Sequence, residues 1–131
     1  MKILLDNNLS PRIARALNAL FEPDHEVVSL RDKFPPDTSD AALIDALRRE
    51  GRWVIVSGDR RITRNRAHAA AFRDSKLIGF FLSKGLYKST VQKQAERLLA
   101  LWESMELVAG RVEGGAMFEL PMRSTRLRQI R

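Results

Sequence analysis

The stretch Trp53–Ser57, with the sequence WVIVS, is the clearest β-strand in the chain and decides the fold class. It is a short, continuous run of apolar and β-branched residues, which is typical of a strand buried on both faces. It runs directly into Gly58 and Asp59, so an acid follows the end of a buried strand. The first apolar run, Lys2–Asp6, also ends on an aspartate.

Helical patterns alternate with these strands. Ser10 and Pro11 supply an N-cap and a first-turn proline for one helix, and Thr38 or Ser39 can cap a second that stops near Gly51. We predict further helices at residues 65–73 and 90–107, the latter ended by glycine 110, and further strands at residues 25–30, 77–82 and 116–120. This alternation predicts an α/β layer sandwich with a mainly parallel sheet.

Length and composition narrow the possible functions. A chain of 131 residues predicts one domain, and the absence of cysteine excludes a disulfide scaffold, thiol catalysis and a cysteine zinc site. It is compatible with a reducing cytoplasm, where we expect the protein to act. We find no signal sequence and no apolar stretch near the ~20 residues of a membrane span, so we expect no membrane partner.

The net charge of +7 is unevenly distributed. Residues 1–59 carry eight Lys and Arg against ten acids, a balance of −2, whereas residues 60–131 carry fifteen against six, a balance of +9. This asymmetry favours a nucleic-acid partner, and the alternative is a solvated helix face with a basic tail. We predict a single domain at residues 1–122 and a basic, disordered tail at residues 123–131.

Three acids are candidates for one site. Asp6 and Asp59 converge if the first and third strands are neighbours, and Asp40 lies in the first turn of a helix that can point to the same edge. Carboxylates without His or Cys predict Mg²⁺ or Mn²⁺. Each acid alone also fits an ordinary role in a turn or a helix start. The basic segment directly after Asp59 favours the joint interpretation, in which metal and arginines hold phosphate.

Other chemistries lack their residues. His25 and His68 share no motif, and Ser10 and Ser57 have no paired His and Asp, so neither a histidine site nor a serine hydrolase is indicated. A haloacid-dehalogenase-type phosphatase would need a second aspartate where this chain has Asn8. The sequence also contains no glycine-rich phosphate loop.

Three stretches resemble, in their order and spacing, the motifs of the short PIN-like proteins, relatives of VapC-type toxins of bacterial toxin–antitoxin pairs. They are LLDNNLS at residues 4–10, SDAALI at residues 39–44 and VIVSGD at residues 54–59, and the most distinctive portion is SGDRRITRN at residues 57–65. The resemblance covers about residues 1–85. It implies a compact three-layer α/β/α sandwich and a metal-dependent ribonuclease, the toxin of a type II toxin–antitoxin pair.

The resemblance also implies the site residues. Asp6, Asp40 and Asp59 fall on the family's acidic metal-binding positions, which makes them the candidate catalytic residues and ligands of Mg²⁺ or Mn²⁺. Ser57 matches a hydroxyl residue that helps to orient the last acid or a bound water. Asn7 stands where many short relatives have Glu.

Residues beside the first and third acids are also relevant to the site. Asn7 and Asn8 are supporting residues whose amides can still ligate through oxygen or hold a water. Relatives often have a further acid shortly after the third one, where this chain has Arg61 and Ile62.

The resemblance predicts RNA and a small cognate antitoxin as partners, and homodimerisation is common in the family. The alternative is a catalytically degraded PIN-like module that binds RNA or a protein without cleavage. The candidates for binding the RNA backbone are Arg12, Arg60, Arg61, Arg64 and Arg66.

Overall fold

The computed structural model describes residues 1–60 and 66–130, without the side chains of residues 66–68. The strands that it defines there are β1 (Lys2–Leu5), β2 (Glu26–Ser29), β3 (Trp53–Ser57), β4 (Ile78–Leu82), β5 (Met117–Leu120) and β6 (Arg128–Gln129). The helices are α1 (Pro11–Phe21), α2 (Leu30–Lys33), α3 (Asp40–Glu50), α4 (Arg66–Asp74), α5 (Lys84–Tyr87) and α6 (Val91–Arg111).

The strands form one sheet in the order β2-β1-β3-β4-β5-β6. The first five are parallel, and β6 pairs antiparallel with β5. The α/β fold with a mainly parallel sheet is thereby confirmed. Since β1 and β3 are direct neighbours, with Leu5 opposite Val56, the residues that follow the two strands emerge side by side.

Helices cover both faces of the sheet, which gives three layers. On one face, α1 and α6 pack through residues such as Leu17 and Trp102 against the side chains of Ile3 and Val56. On the other, α3 and α4 pack through Leu47 and Phe72 against a second group that includes Leu4, Trp53 and Phe81. The alternation along each strand sends neighbouring side chains to opposite cores, so both faces are apolar and need a cover.

Hydroxyl side chains start several of these helices. Ser10 accepts a hydrogen bond from the Arg12 N–H at the start of α1, and Ser39, rather than Thr38, accepts one from the Ala42 N–H at the start of α3. Gly51 follows α3 with a φ of 122°, a backbone conformation that strongly favours glycine.

Four features differ from the sequence-based expectation. The short elements α2, α5 and β6 were not predicted, because segments of two to four residues show no usable period. Helix α6 continues through Gly110 to Arg111, since one glycine costs only about 1 kcal/mol in a helix and Ala109 is still packed in the core.

None of the helices in the described residues is both long enough and apolar enough to span a membrane.

Part of the segment that the sequence predicts to be a basic, disordered tail packs against the rest of the domain in the described residues. The backbone of Arg128–Gln129 pairs with β5, and Leu127 and Ile130 pack against the two cores. The buried guanidinium of Arg97 donates to the carbonyls of Pro121 and Ser124. These contacts connect the segment to the domain, and Ser124 supplies one of the two carbonyl groups that accept from the buried guanidinium of Arg97.

The paired tail gives a test by truncation. Removing residues 123–131 deletes β6 and one acceptor of Arg97, so we expect the free energy of unfolding to fall by about 2 kcal/mol. Denaturant unfolding measures this loss. The exposed side chain of Arg126 serves as a control, because Arg126→Ala should leave stability within about 0.5 kcal/mol. A truncated chain as stable as the full one would contradict the pairing.

Candidate active site

The carboxylate of Asp6 is held at the carboxyl end of β1. The Asp6 N–H donates to the Val56 carbonyl at 2.9 Å, which continues the ladder with β3, and the Asp6 carbonyl accepts from the Leu9 N–H at 3.0 Å. One carboxylate oxygen accepts from the Asn7 N–H at 2.8 Å, and the other accepts from the Ser57 hydroxyl at 2.8 Å. The side chain of Asp6 therefore has a fixed position between two neighbouring strands.

Ser57 and Asn8 complete a closed set of hydrogen bonds around this carboxylate. The Asn8 amide N–H₂ donates to the Ser57 hydroxyl oxygen at 3.1 Å and to Asp6 at 3.4 Å, and its oxygen accepts from the Gly58 N–H at 2.9 Å. Ser57 is only 2% exposed. Since both polar atoms of Asn8 are bonded within the protein, its amide acts here as a brace between the ends of β1 and β3.

The role of Ser57 differs in detail from the one that the resemblance implies. Its hydroxyl donates to Asp6, and it accepts from the backbone N–H of Asp59 at 3.0 Å. Ser57 thus binds the side chain of the first acid, Asp6, but only the backbone of the last acid, Asp59. The sequence places Ser57 two residues before Asp59, but only the strand pairing shows that Asp6 is within reach.

The three candidate acids line one cleft of about 1520 Å³ at the carboxyl edge of the sheet, which we call the acid cleft. Asp6 and Asp59 are half-buried, and Asp40 is exposed in the first turn of α3. Asn7 also lines the cleft. The structure thus places the acids around one cavity, but within residues 1–60 and 66–130 it does not group three His, Asp or Glu side chains closely enough to hold a metal together.

The candidate donor atoms suit the divalent cation that the resemblance implies. All candidate ligands are oxygens, which suits Mg²⁺ or Mn²⁺. Mg²⁺ keeps several waters and is usually bound by one or two carboxylates together with substrate phosphates, so it does not require a three-carboxylate cage. Asp6, already fixed by Ser57 and Asn7, fits that requirement, and Asp40 and Asp59 face the same cavity. The metal itself stays a prediction.

The predicted backbone-binding arginines differ in position. Arg60 lines the acid cleft, whereas Arg12 is exposed on α1, where its Nε donates to Ser10 at 3.4 Å, and it does not appear among the described lining residues. Arg61 and Arg64 lie outside the described residues, and Arg66 begins α4 with a side chain that is not described.

Glu119 holds Arg60 at the edge of the cleft. Its carboxylate on β5 accepts from Arg60 Nη2 at 2.6 Å and from Arg128 of β6. Burial alone would raise the pKa of Glu119, but the hydrogen bonds and charges of Arg60 and Arg128 outweigh it and lower the pKa below the ordinary value of 4.5. The C-terminal strand is therefore connected to the site through one ionised carboxylate.

Several residues that line the acid cleft were missed from sequence, among them Arg31, Lys84, Tyr87 and Glu119. The guanidinium of Arg31 in α2 donates to the Asn7 carbonyl at 3.0 Å, and Lys84, Tyr87 and Glu119 come from segments beyond the motifs. Only Glu119 left a signal, because an acid inside the short buried strand MFEL requires a partner. The others belong to short helices whose position depends on the folded sheet.

Comparison with protein families matches residues 1–84 to the model of a PIN-like domain. Because the match spans well over half of the 131 residues, the chain belongs to the PIN-like domain family, which confirms the resemblance. PIN-like domains are often nucleases. Comparisons with curated proteins and with solved structures found no match.

The Ser57 network predicts the effect of removing one hydroxyl. Ser57→Ala deprives the Asp59 N–H of its acceptor and Asp6 of a donor, so we expect a loss of about 2 kcal/mol in the free energy of unfolding. Amide hydrogen exchange at Asp59 should become faster at the same time.

Ser75→Ala is the matched control for that variant. Ser75 is a buried hydroxyl that donates to the Phe72 carbonyl and accepts from the Leu77 N–H, and Ser75 itself does not line the acid cleft. Ser75→Ala should lower the free energy of unfolding by a similar amount. The protection of the Asp59 amide against exchange should then fall only as far as the global stability falls. Equal protection of Asp59 in both variants would contradict the proposed network.

The lowered pKa of Glu119 predicts a pH-dependent contribution to stability. Since the folded pKa lies below the ordinary 4.5, the stabilisation is present at neutral pH and is lost as the pH falls through the folded value. Glu119→Gln should therefore cost about 1 kcal/mol at pH 7, and the difference from wild type should shrink below pH 4.5. Urea unfolding at pH 7 and pH 3 measures both, with Glu103→Gln on the exposed face of α6 as control. A difference that does not change with pH would disprove the assignment.

Proposed function

We propose that this PIN-like domain is a metal-dependent endoribonuclease that hydrolyses RNA phosphodiesters. The observation that carries the proposal is the fixed carboxylate of Asp6, braced by Ser57 and Asn8 at the point where two parallel strands end. A carboxylate held by three hydrogen bonds keeps its orientation without a ligand, which lowers the cost of binding a cation there.

Asp6, Asp40 and Asp59 are the residues that would hold Mg²⁺ or Mn²⁺. When bound, such a cation supplies Lewis-acid activation of water and offsets negative charge on the reacting phosphate. The protein supplies orientation. Ser57 fixes the orientation of the Asp6 carboxylate, and the hydrogen bond from the Asp59 N–H to the Ser57 hydroxyl fixes the direction in which the chain leaves β3 at the last acid.

Positive side chains around the same cavity support a polyanionic substrate. Arg31, Arg60 and Lys84 line the acid cleft together with the acids. Glu119 keeps Arg60 at the rim, since the ion pair limits the positions that its guanidinium can take. Cations placed next to metal-binding acids can hold the flanking phosphates of a strand whose scissile phosphate lies at the acids.

The biological setting of the proposal follows from the likeness to VapC-type toxins. In that setting the protein is the toxin of a type II pair in the cytoplasm, and a small antitoxin protein neutralises it by covering the acid cleft. A homodimer is the further assembly that the family suggests. Co-expression with the neighbouring small open reading frame should relieve growth arrest, and unchanged arrest would count against the toxin role.

A second candidate function is a module that binds RNA or a protein without cleaving it. Two observations favour it: the described residues hold no preformed group of three metal-ligating side chains, and Asn7 replaces the Glu of many short relatives. The cleavage experiment below separates the two candidates, because only the nuclease depends on metal and on Asp6.

Asp6→Asn tests the nuclease directly. The substitution keeps the size of the side chain but removes the charge, so cleavage of a mixed RNA pool in Mn²⁺ should fall by about 100-fold or more. Asp24→Asn, at an exposed position before β2, makes the same change of charge and should cleave at the wild-type rate. Gel analysis with Mn²⁺ and with EDTA provides the rates.

Two results would overturn the nuclease. One is cleavage by Asp6→Asn at the wild-type rate, which would point to a contaminating enzyme. The other is the absence of Mn²⁺-dependent cleavage by wild type together with RNA binding that Asp6→Asn does not change, which would establish the binding module instead.

A further inference from the structure

The ring of Tyr87 lies directly on the backbone of the third motif. Any Cβ atom at position 58 would collide with this ring, so Gly58 is the residue type that lets Tyr87 approach the chain between Ser57 and Asp59. Tyr87 is also the single tyrosine of the protein. An aromatic ring is therefore placed immediately next to one of the three candidate acids.

The backbone of Tyr87 is anchored from several directions. Its N–H donates to the Ser83 carbonyl at 2.9 Å, and its carbonyl accepts from the buried amide of Gln94 at 3.0 Å. The neighbouring Leu86 is fully buried. The four-residue helix α5 and the contact with Gln94 together set the position of the Tyr87 backbone at the rim of the cleft.

The ring nevertheless stays open to solvent. Tyr87 is 40% exposed and lines the acid cleft together with Asp6, Asp59 and Lys84. An exposed aromatic ring beside the candidate acids and a lysine suits the binding of an unpaired nucleotide, because every base can stack on an aromatic ring while its phosphate contacts the cation. The bases of a duplex stack on one another and cannot reach such a ring.

We propose that Tyr87 is a stacking platform for an unpaired base of single-stranded RNA, next to the phosphodiester that lies at Asp59. The proposal rests on the proposed function and adds to it a substrate-contacting residue from beyond the segment that the family model matches. Lys84, one turn before Tyr87 in α5, holds an adjacent phosphate. Stacking has no strong base preference, so this subsite selects for strand state rather than for sequence.

Binding without catalysis tests the platform. A short RNA with one 2-aminopurine is titrated with protein in EDTA, in single-stranded form and annealed to its complement. Wild type and Tyr87→Phe should bind the single strand alike and quench the 2-aminopurine at one position of the RNA. Tyr87→Leu still covers Gly58 but cannot stack, so its affinity should fall by about tenfold. The duplex should bind at least tenfold more weakly than the single strand.

A second measurement needs no substitution. Since the chain has one tyrosine, protein grown with 3-fluorotyrosine gives one ¹⁹F signal from Tyr87. This signal should shift on addition of the single strand and stay in place with the duplex. Wild-type affinity in folded Tyr87→Leu, or an unmoved ¹⁹F signal at saturating single strand, would overturn the platform.

The two proposals can fail separately. The binding and ¹⁹F measurements contain no metal and do not depend on cleavage. If no cleavage occurs in Mn²⁺ but the single strand still binds at Tyr87, the nuclease proposal is wrong and the platform is supported. If cleavage depends on Asp6 but the ¹⁹F signal does not move, the nuclease is supported and the platform proposal is wrong.

Discussion

The buried hydroxyl of Ser57 is the contact on which the candidate site depends. It joins the ends of β1 and β3 by donating to the Asp6 carboxylate and accepting from the Asp59 backbone. This contact exists because the two strands are parallel neighbours, so that the chain leaves both at the same edge. A buried hydroxyl must find partners, and here they belong to Asp6, Asp59 and the bracing Asn8, so pairing of the two strands brings the parts of the site together.

Charge is arranged around this contact in two zones. Acids gather at the edge formed by β1, β3 and the start of α3, whereas Arg31, Arg60 and Lys84 lie on the surrounding walls. Glu119 keeps one of these cations, Arg60, in place through an ion pair that also engages Arg128 of β6. The overall excess of +7 is therefore less informative than the close approach of cations to carboxylates within one cavity.

The sequence predicted what depends on local pattern. Strands with continuous apolar runs, such as β3, and helices with a hydroxyl cap, such as α1, were predicted within a few residues. The three candidate acids were selected from sequence because each follows a strand or a helix cap, and the structure places all three around one cleft. The sequence could not predict that Ser57 contacts Asp6, since 51 residues separate them. Nor could it predict Tyr87 or β6, because four-residue helices and two-residue strands take their positions from the sheet that they cover.

The family match ends at residue 84, and several residues that line the acid cleft come from beyond that point. Tyr87, which lies against Gly58, and Glu119, which holds Arg60, are both supplied by the part of the chain that follows the recognised motifs. The side-chain hydrogen bonds of Asp6 and Ser57, in contrast, are made within the first 60 residues. The candidate acids and their bracing contacts therefore come from the matched segment, and the surface around them is completed by residues that the family model does not cover.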